Sequence, residues 1–340
     1  MRLEQIAATA FEPVADILAA KRIPGAVLGV VNAAGERAIK LDGAAQLDPE
    51  FAAMTRATVF DLASLTKVIF TTTRILRLVE QGRIGLDQKL SELIPDLRQY
   101  DPAAAERALT VRQCLTHQTF LPAVEPLYTY APHDPQTLRT FVLQRVWKQG
   151  PPVYSDINFI LLGIAIERVS GSALIDQPLD PGFTFRPDPN ACAATERCPW
   201  RGRVMRGEVH DENAFALGGA SGHAGLFGPI DAVLDFAAAL LSGKLMKPET
   251  IALLRKREAP QRTLGWEMKY EMWSGGALCS DDAIGHTGFT GVGLWIDFRR
   301  GLAWSLLTNR VHATRHFDSG IIPLRRAVGE RVIQSFDSQN

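Results

Sequence analysis

Phe60-Asp61-Leu62-Ala63-Ser64-Leu65-Thr66-Lys67 is the stretch on which the reading of this chain turns. Downstream of it Leu65, Val68, Ile69, Leu76 and Val79 recur with helical spacing, which predicts a buried helix running to Gly82. Lys67 then falls in the first turn, against the positive end of the helix macrodipole, where a carboxylate would be the favourable choice. A Lys one turn after a Ser, on the same helix face, has a chemical use instead: it faces the hydroxyl and helps remove its proton. This is the nucleophile pattern of Ser-Lys acyl transfer. Alone it is weak. The spacing arises by chance about once in a chain of this length, and a Ser N-cap followed by a surface Lys accounts for it equally well.

Two further pieces follow in order: Tyr154-Ser155-Asp156, then His286-Thr287-Gly288 near the C-terminus. With these in place the chain resembles the class C β-lactamase and DD-peptidase superfamily of serine hydrolases, which carries Ser-x-x-Lys, then Tyr-x-Asn, then Lys-Thr-Gly or His-Thr-Gly. The stretches 109–117, ending Cys114-Leu115-Thr116-His117, and 222–228, Gly222-His223-Ala224-Gly225-Leu226-Phe227-Gly228, are similar to two more of its segments. The resemblance runs from about Pro24 to about Arg326. Within it, His210-Asp211-Glu212-Asn213-Ala214 and Leu307-Thr308-Asn309-Arg310-Val311-His312 resemble a branch that includes penicillin-binding-protein-like proteins and muramoyl-peptide amidases.

A Ser hydroxyl is unreactive near neutral pH unless a neighbour takes its proton. Lys67 can lower the Ser64 pKa through its charge, or accept the proton if desolvation lowers its own. Tyr154 is the second candidate base. Its phenol needs nearby cations to ionise, which Lys67 and a protonated His286 would supply; the three would titrate as a coupled set. The resemblance implies an oxyanion hole from the backbone N–H groups of Ser64 and Phe289, with Asp156, His286, Thr287 and Gly288 contacting substrate. Two departures bear on specificity. Asp156 stands where the family has Asn, and an ionised carboxylate only accepts hydrogen bonds, favouring substrates that offer N–H, O–H or ammonium groups. His286 stands where β-lactamases have Lys, and is mostly neutral near pH 7. Both changes weaken recognition of the anionic group of a β-lactam.

Composition bounds the rest. The chain has 340 residues, 46% hydrophobic, with 37 Lys plus Arg against 37 Asp plus Glu. That is ample for a large core in one or two domains. The zero net charge, without any run of like charges, argues against nucleic-acid and membrane-surface partners. The N-terminal residues from Met1 read as an amphipathic helix ending before Arg22-Ile23-Pro24, without a signal peptide. No stretch of about 18 apolar residues suggests a membrane span. The expected location is cytoplasmic, as a monomer or homodimer acting on a small molecule. Cys114, Cys192, Cys198 and Cys279 form no Cys-x-x-Cys pair and are expected to be reduced thiols. Cys192 and Cys198 with His210 and Asp211 fit no standard zinc spacing, so neither metal nor cofactor is expected.

Strand patterns at 25–32 and 36–41 are followed by helical patterns at 65–81, 111–116, 137–148 and 157–170. A polar, Pro- and Arg-rich loop spans 178–206, and a helix 231–241. Strands return at 264–270, 285–289, 293–297 and 303–309, before a last helix at 322–335. Strands at both ends with helices between predict an α+β fold: an antiparallel sheet flanked by the terminal helices, with an inserted helical domain. Residues 1–62 with 218–340 would form the sheet domain and 63–217 the helical one, the catalytic cleft lying between. His210 to Asn213 and Trp200-Arg201-Gly202-Arg203 read either as substrate-recognition groups or as a hydrogen-bonded loop. His223 reads as a turn residue, His117 as a satisfied helix-end histidine, and Thr71-Thr72-Thr73 as plain helix interior. The function expected is cleavage of an amide or ester through an acyl-enzyme on Ser64, with muramoyl peptides as one substrate class. The alternatives are a broad carboxylesterase, a D-aminopeptidase motivated by Asp156, and a non-catalytic sensor of muropeptides or β-lactams.

Overall fold

The apolar run Gly25–Asn32 is buried at seven of its eight positions, because the strand it forms is covered on both faces. Strand side chains alternate sides. Ala26, Leu28 and Val30 enter one core while Val27 and Val31 enter another. The structure is a computed structural model that describes residues 2–130 and 134–339; Met1, where the first helix was expected to begin, lies outside them.

Seven strands form the main sheet: β1 (Gly25–Asn32), β2 (Arg37–Gln46), β3 (Ala52–Ala53), β4 (Glu267–Met268), β5 (Ile284–Thr287), β6 (Gly293–Asp297) and β7 (Leu302–Thr308). Their order is β3-β2-β1-β7-β6-β5-β4, every pair antiparallel. The first and last thirds of the chain therefore meet at β1 and β7, with Leu28 opposite Leu306. Helices α1 (Arg2–Ala19) and α5 (Ile321–Asp337) cover one face, closing a core that contains Ile6, Val14, Val328 and the stacked pair Trp295 and Trp304. The other face meets a helix at Ile230–Leu241 and the helical middle of the chain, including α3 (Asp156–Ser170), through Val27, Leu294, Ile296 and Leu307.

Three expectations change. The helix expected over 65–81 is not uniformly α-helical. Residues Lys67–Thr72 form a π-helix before α2 (Thr73–Glu80). The Thr71-Thr72-Thr73 run is the cause rather than plain interior: Thr72 Oγ1 donates to Lys67 O at 2.7 Å and Thr73 Oγ1 to Val68 O at 3.1 Å. Such wide turns are uncommon and concentrate at functional sites. The strand expected over 264–270 shrinks to Glu267–Met268, because Gly265, at φ 78°, turns the chain to donate its N–H to Leu115 O. The helix expected over 137–148 begins earlier and ends sooner, at Pro135–Gln144, with Asp134 as its N-cap. No helix among the described residues is long and apolar enough to cross a membrane.

Candidate active site

Ser64 sits at the mouth of the helix that the π-turn deforms. It is presented by a strained backbone: Ala63, immediately before it, has φ 45°, a region non-glycine residues seldom occupy. Several bonds hold that conformation. Asp61 accepts from Ala63 N at 2.8 Å and from His210 N at 2.6 Å. Thr66 Oγ1 donates to Ala63 O at 2.6 Å, and Thr290 Oγ1 reaches across to Asp61 O at 2.9 Å.

Lys67 is fully buried, so its ammonium needs partners. It donates to Ser64 Oγ at 3.0 Å and to His223 O at 3.1 Å, and forms an ion pair with Asp156 Oδ1 at 2.8 Å. Burial disfavours the charge, but Asp156 and Tyr154 outweigh it and hold the amine above its ordinary value. Lys67 is therefore an ammonium at rest. Asp156 was expected to face substrate; as the first residue of α3 it pairs with Lys67 on the π-turn, and it also lines the cleft beside Ser64.

Tyr154 lies at the junction. Its ring is 5.0 Å from Lys67 Nζ, 4.6 Å from the His117 ring and 5.9 Å from the His286 ring. Burial raises its pKa, Lys67 pulls it back and Asp156 raises it again; the net direction is upward. His117 does more than end a helix. Its Nδ1 accepts the N–H of Ser155 at 3.0 Å, which fixes the segment that carries Tyr154.

His286 is also buried, and burial with the charges of Arg262 and Lys67 holds it well below the usual imidazole range. It does not supply the cation expected of it. Its Nδ1 lies 2.9 Å from Thr287 O, which can only accept, so Nδ1 carries the proton and Nε2 presents a lone pair. Gly288 follows where the strand approaches the segment that carries Ser64. A Cβ there would come within 2.8 Å of Leu62 O and 3.1 Å of Ala63 Cβ, so only glycine allows this approach. It places Phe289, with its backbone N–H, in the wall of the cavity that Ser64 lines. Among the described residues neither that N–H nor the N–H of Ser64 has a hydrogen-bond acceptor, as an oxyanion hole requires.

Several residues of this site carry no local sequence signal. Thr71 Oγ1 donates to Gly222 O at 2.6 Å, tying the π-turn to the turn that bears His223. The His223 ring lies between Asp211 Oδ1 and Ser221 Oγ, each at 2.9 Å, so His223 also orients the carbonyl that receives Lys67. Asp211 is held far below the usual carboxylate range; burial opposes this, but His223 and the N–H of Ala214 prevail. The neighbouring polar residues act as loop braces. His210 contacts Glu196 at 3.1 Å, Glu212 pairs with Arg315 at 2.6 Å, and Asn213 donates to Glu125 O at 2.8 Å. Arg201 donates to Val209 O and His210 O and stacks on Phe215.

The cleft has two lobes around Ser64. One, of about 310 Å³, is lined by Tyr128, Asp156, Asp211, Glu212 and Arg315. The other, of about 650 Å³, is lined by His286, Phe289, Arg262, Arg310 and Arg325. Asp156, Asp211 and His223 form the one group of three metal-type ligands gathered among the described residues, with ligand atoms within 4.8 Å of one another; the Lys67 ammonium contacts that group through Asp156. Cys192 and Cys198 take separate partners, Asp188 O and Arg201 N.

A buried Lys bonded to a Ser that lines a cleft, with two backbone N–H groups beside it left without acceptors among the described residues, is the arrangement of an acyl-transfer serine enzyme. The chain belongs to the Beta-lactamase family, whose model matches residues 11–326. It is similar to a Bacillus subtilis (strain 168) protein named N-acetylmuramyl-L-alanine amidase, 32% identical over 347 residues that cover 85% of this chain and 78% of that protein. Among solved structures it resembles EstCE1, a hydrolase with promiscuous acyltransferase activity, at TM-score 0.74 and 20% identity over 97% and 98% of the two chains. A penicillin-binding protein homolog from Caulobacter crescentus matches at TM-score 0.72 and 18% identity over 96% and 97%. The α+β fold expected from the element order, and its β-lactamase-like form expected from the resemblance, is the fold of these structures, and the chain is a serine hydrolase of that family.

Proposed function

We propose that Ser64 is the nucleophile of an acyl-enzyme reaction that cleaves an amide, with muramoyl peptides as the substrate class. The observation that carries the reaction is the 3.0 Å contact of Lys67 Nζ with Ser64 Oγ inside a cleft. The substrate class draws its support from the amidase relative.

In this reading Ser64 Oγ attacks the carbonyl carbon while its proton passes to whichever of Lys67 and Tyr154 has first given up its own to solvent. The N–H groups of Ser64 and Phe289 stabilise the oxyanion, and a mutant lacking one such donor typically loses about a hundredfold or more in rate. The same pair returns the proton to the leaving nitrogen, and water then hydrolyses the ester on Ser64 by the reverse sequence. Both Lys67 and Tyr154 are protonated at rest, so turnover should climb on the alkaline side of neutrality. The cleft would lie between the sheet domain, 1–62 with 218–340, and the helical domain, 63–217. The four cysteines, buried and unpaired, support a reducing compartment such as the cytoplasm.

The test is steady-state cleavage of a muramoyl dipeptide beside p-nitrophenyl acetate. Dipeptide release that needs Ser64 supports the proposal. Fast ester cleavage with no muramoyl turnover favours the second reading, a broad carboxylesterase, since an ester needs less leaving-group activation. Turnover that stops at one enzyme equivalent would instead favour a sensor.

A further inference from the structure

The larger lobe of the cleft carries three guanidinium groups, two of which, Arg262 and Arg325, belong to none of the motifs. Arg262 lies with its guanidinium carbon 5.0 Å from the Tyr154 ring centre and its Nη2 3.5 Å from Glu267. Its Nη1 is buried without a partner among the described residues. Arg325, only 7% exposed, gives Nη2 to Gly288 O at 2.8 Å and Val292 O at 2.7 Å, while its Nε is likewise unpartnered. Arg310 gives Nε to Phe289 O at 2.8 Å. Two carboxylates line the same lobe. Asp318 stands at the rim, its side chain 89% exposed and paired with Arg22. Glu267 also accepts from Trp273 Nε1 at 3.2 Å. Three cations thus face one interior acid, and a buried cation without a counter-charge is unfavourable until an anion joins it. Phe289, Phe317 and Ile322, each about half exposed or more, line the same lobe and give it apolar surface beside the guanidinium groups.

We propose that this lobe is a subsite for a carboxylate carried on an apolar part of the substrate, held chiefly by Arg262. The enzyme then prefers scissile bonds with a carboxylate on one side. A guanidinium grips a carboxylate through two parallel N–H bonds. This reverses the expectation that replacing Lys by His286 weakens anion recognition: the cation comes from other elements, and His286 Nε2 is free to accept an N–H of the same substrate. The inference rests on the reading of Ser64 as nucleophile.

Two matched ester pairs test it. Phenyl phenylacetate against 3-carboxyphenyl phenylacetate places the charge in the leaving group. p-Nitrophenyl pentanoate against mono-p-nitrophenyl glutarate places it in the acyl group. At low salt one carboxylate ester should exceed its neutral twin at least tenfold in kcat/KM, mainly through KM, and added salt should erode the advantage. Arg262→Gln should bring that ratio towards unity, and Arg262→Lys should restore part of it. Ratios near unity in both wild-type pairs, or a ratio that survives Arg262→Gln, overturn the subsite. Fluorophosphonate labelling of Ser64 in the same samples separates the two ideas. A labelled wild type with flat ratios sinks the subsite alone; an unlabelled, inactive wild type sinks the nucleophile reading and the subsite with it. Should Arg262→Gln fail to fold, the salt dependence and Arg262→Lys still decide.

Discussion

Asp156→Asn removes the charge that keeps Lys67 an ammonium and Tyr154 a phenol, and nearly nothing else. The ion pair spans 2.8 Å, with side-chain exposures of 0% and 15%. Two unit charges at that separation attract by about 6 kcal/mol at an effective dielectric near 20. That is an upper bound, since the Asn carbonyl still accepts a hydrogen bond. Lys67 keeps its contacts with Ser64 Oγ and His223 O, so its position survives. Asp156 raises the pKa of both candidate bases. Its loss therefore moves the ascending limb of the pH–rate profile towards neutral pH, whichever base acts. A quarter to a half of the bound corresponds to roughly ten- to a hundredfold in rate. The assay is kcat/KM for a neutral p-nitrophenyl ester from pH 5 to 10, with the expected gain concentrated near pH 7. The variant should also be less stable at neutral pH by up to about 3 kcal/mol, because a buried ammonium loses its counter-ion. That deficit should shrink as pH rises and Lys67 deprotonates. A limb that stays in place or moves to higher pH, in protein that still labels at Ser64, would refute the reasoning.

Other consequences are direct. Glu196 is held at about 2, burial opposing and bonds from His210 and Arg315 prevailing. It stabilises the fold above its ordinary 4.5, and that contribution is lost as pH falls from there towards 2; Glu196→Gln should flatten this limb of an acid-unfolding curve. Thr71→Val removes a buried bond to Gly222 O and should cost about 1–3 kcal/mol. It should also lower kcat more than it changes KM, since the His223 carbonyl under Lys67 shifts. Trp304→Ala, in the core beneath the terminal helices, should cost about 3–5 kcal/mol in denaturant unfolding while leaving the rate of Ser64 labelling intact.

Much of the fold was legible because apolar runs such as Val27 to Val31 have one reading once strands are seen at both ends of the chain. The contact at the centre of the proposed site was legible because Ser64 and Lys67 are local to one another. What was missed is long-range. Thr71 meets Gly222 across 151 residues, and nothing in Thr71-Thr72-Thr73 announces a π-turn. Asp211 and His223 were visible as residues, but their joint hold on the carbonyl beneath Lys67 exists only once two loops fold onto one helix. Arg262 precedes a strand of two residues, where no periodicity marks which side chain enters the cleft. Asp156 was noticed as a departure from Asn, yet its partner, Lys67, follows from the packing of α3 on the π-turn.

The most direct measurement is the intact mass of the protein and of Ser64→Ala after fluorophosphonate treatment, with p-nitrophenyl acetate turnover followed in parallel. The account predicts a single adduct on the wild type, none on Ser64→Ala, and ester release continuing well past one enzyme equivalent. An adduct of equal yield on Ser64→Ala, or a wild type that neither labels nor turns over, would contradict it.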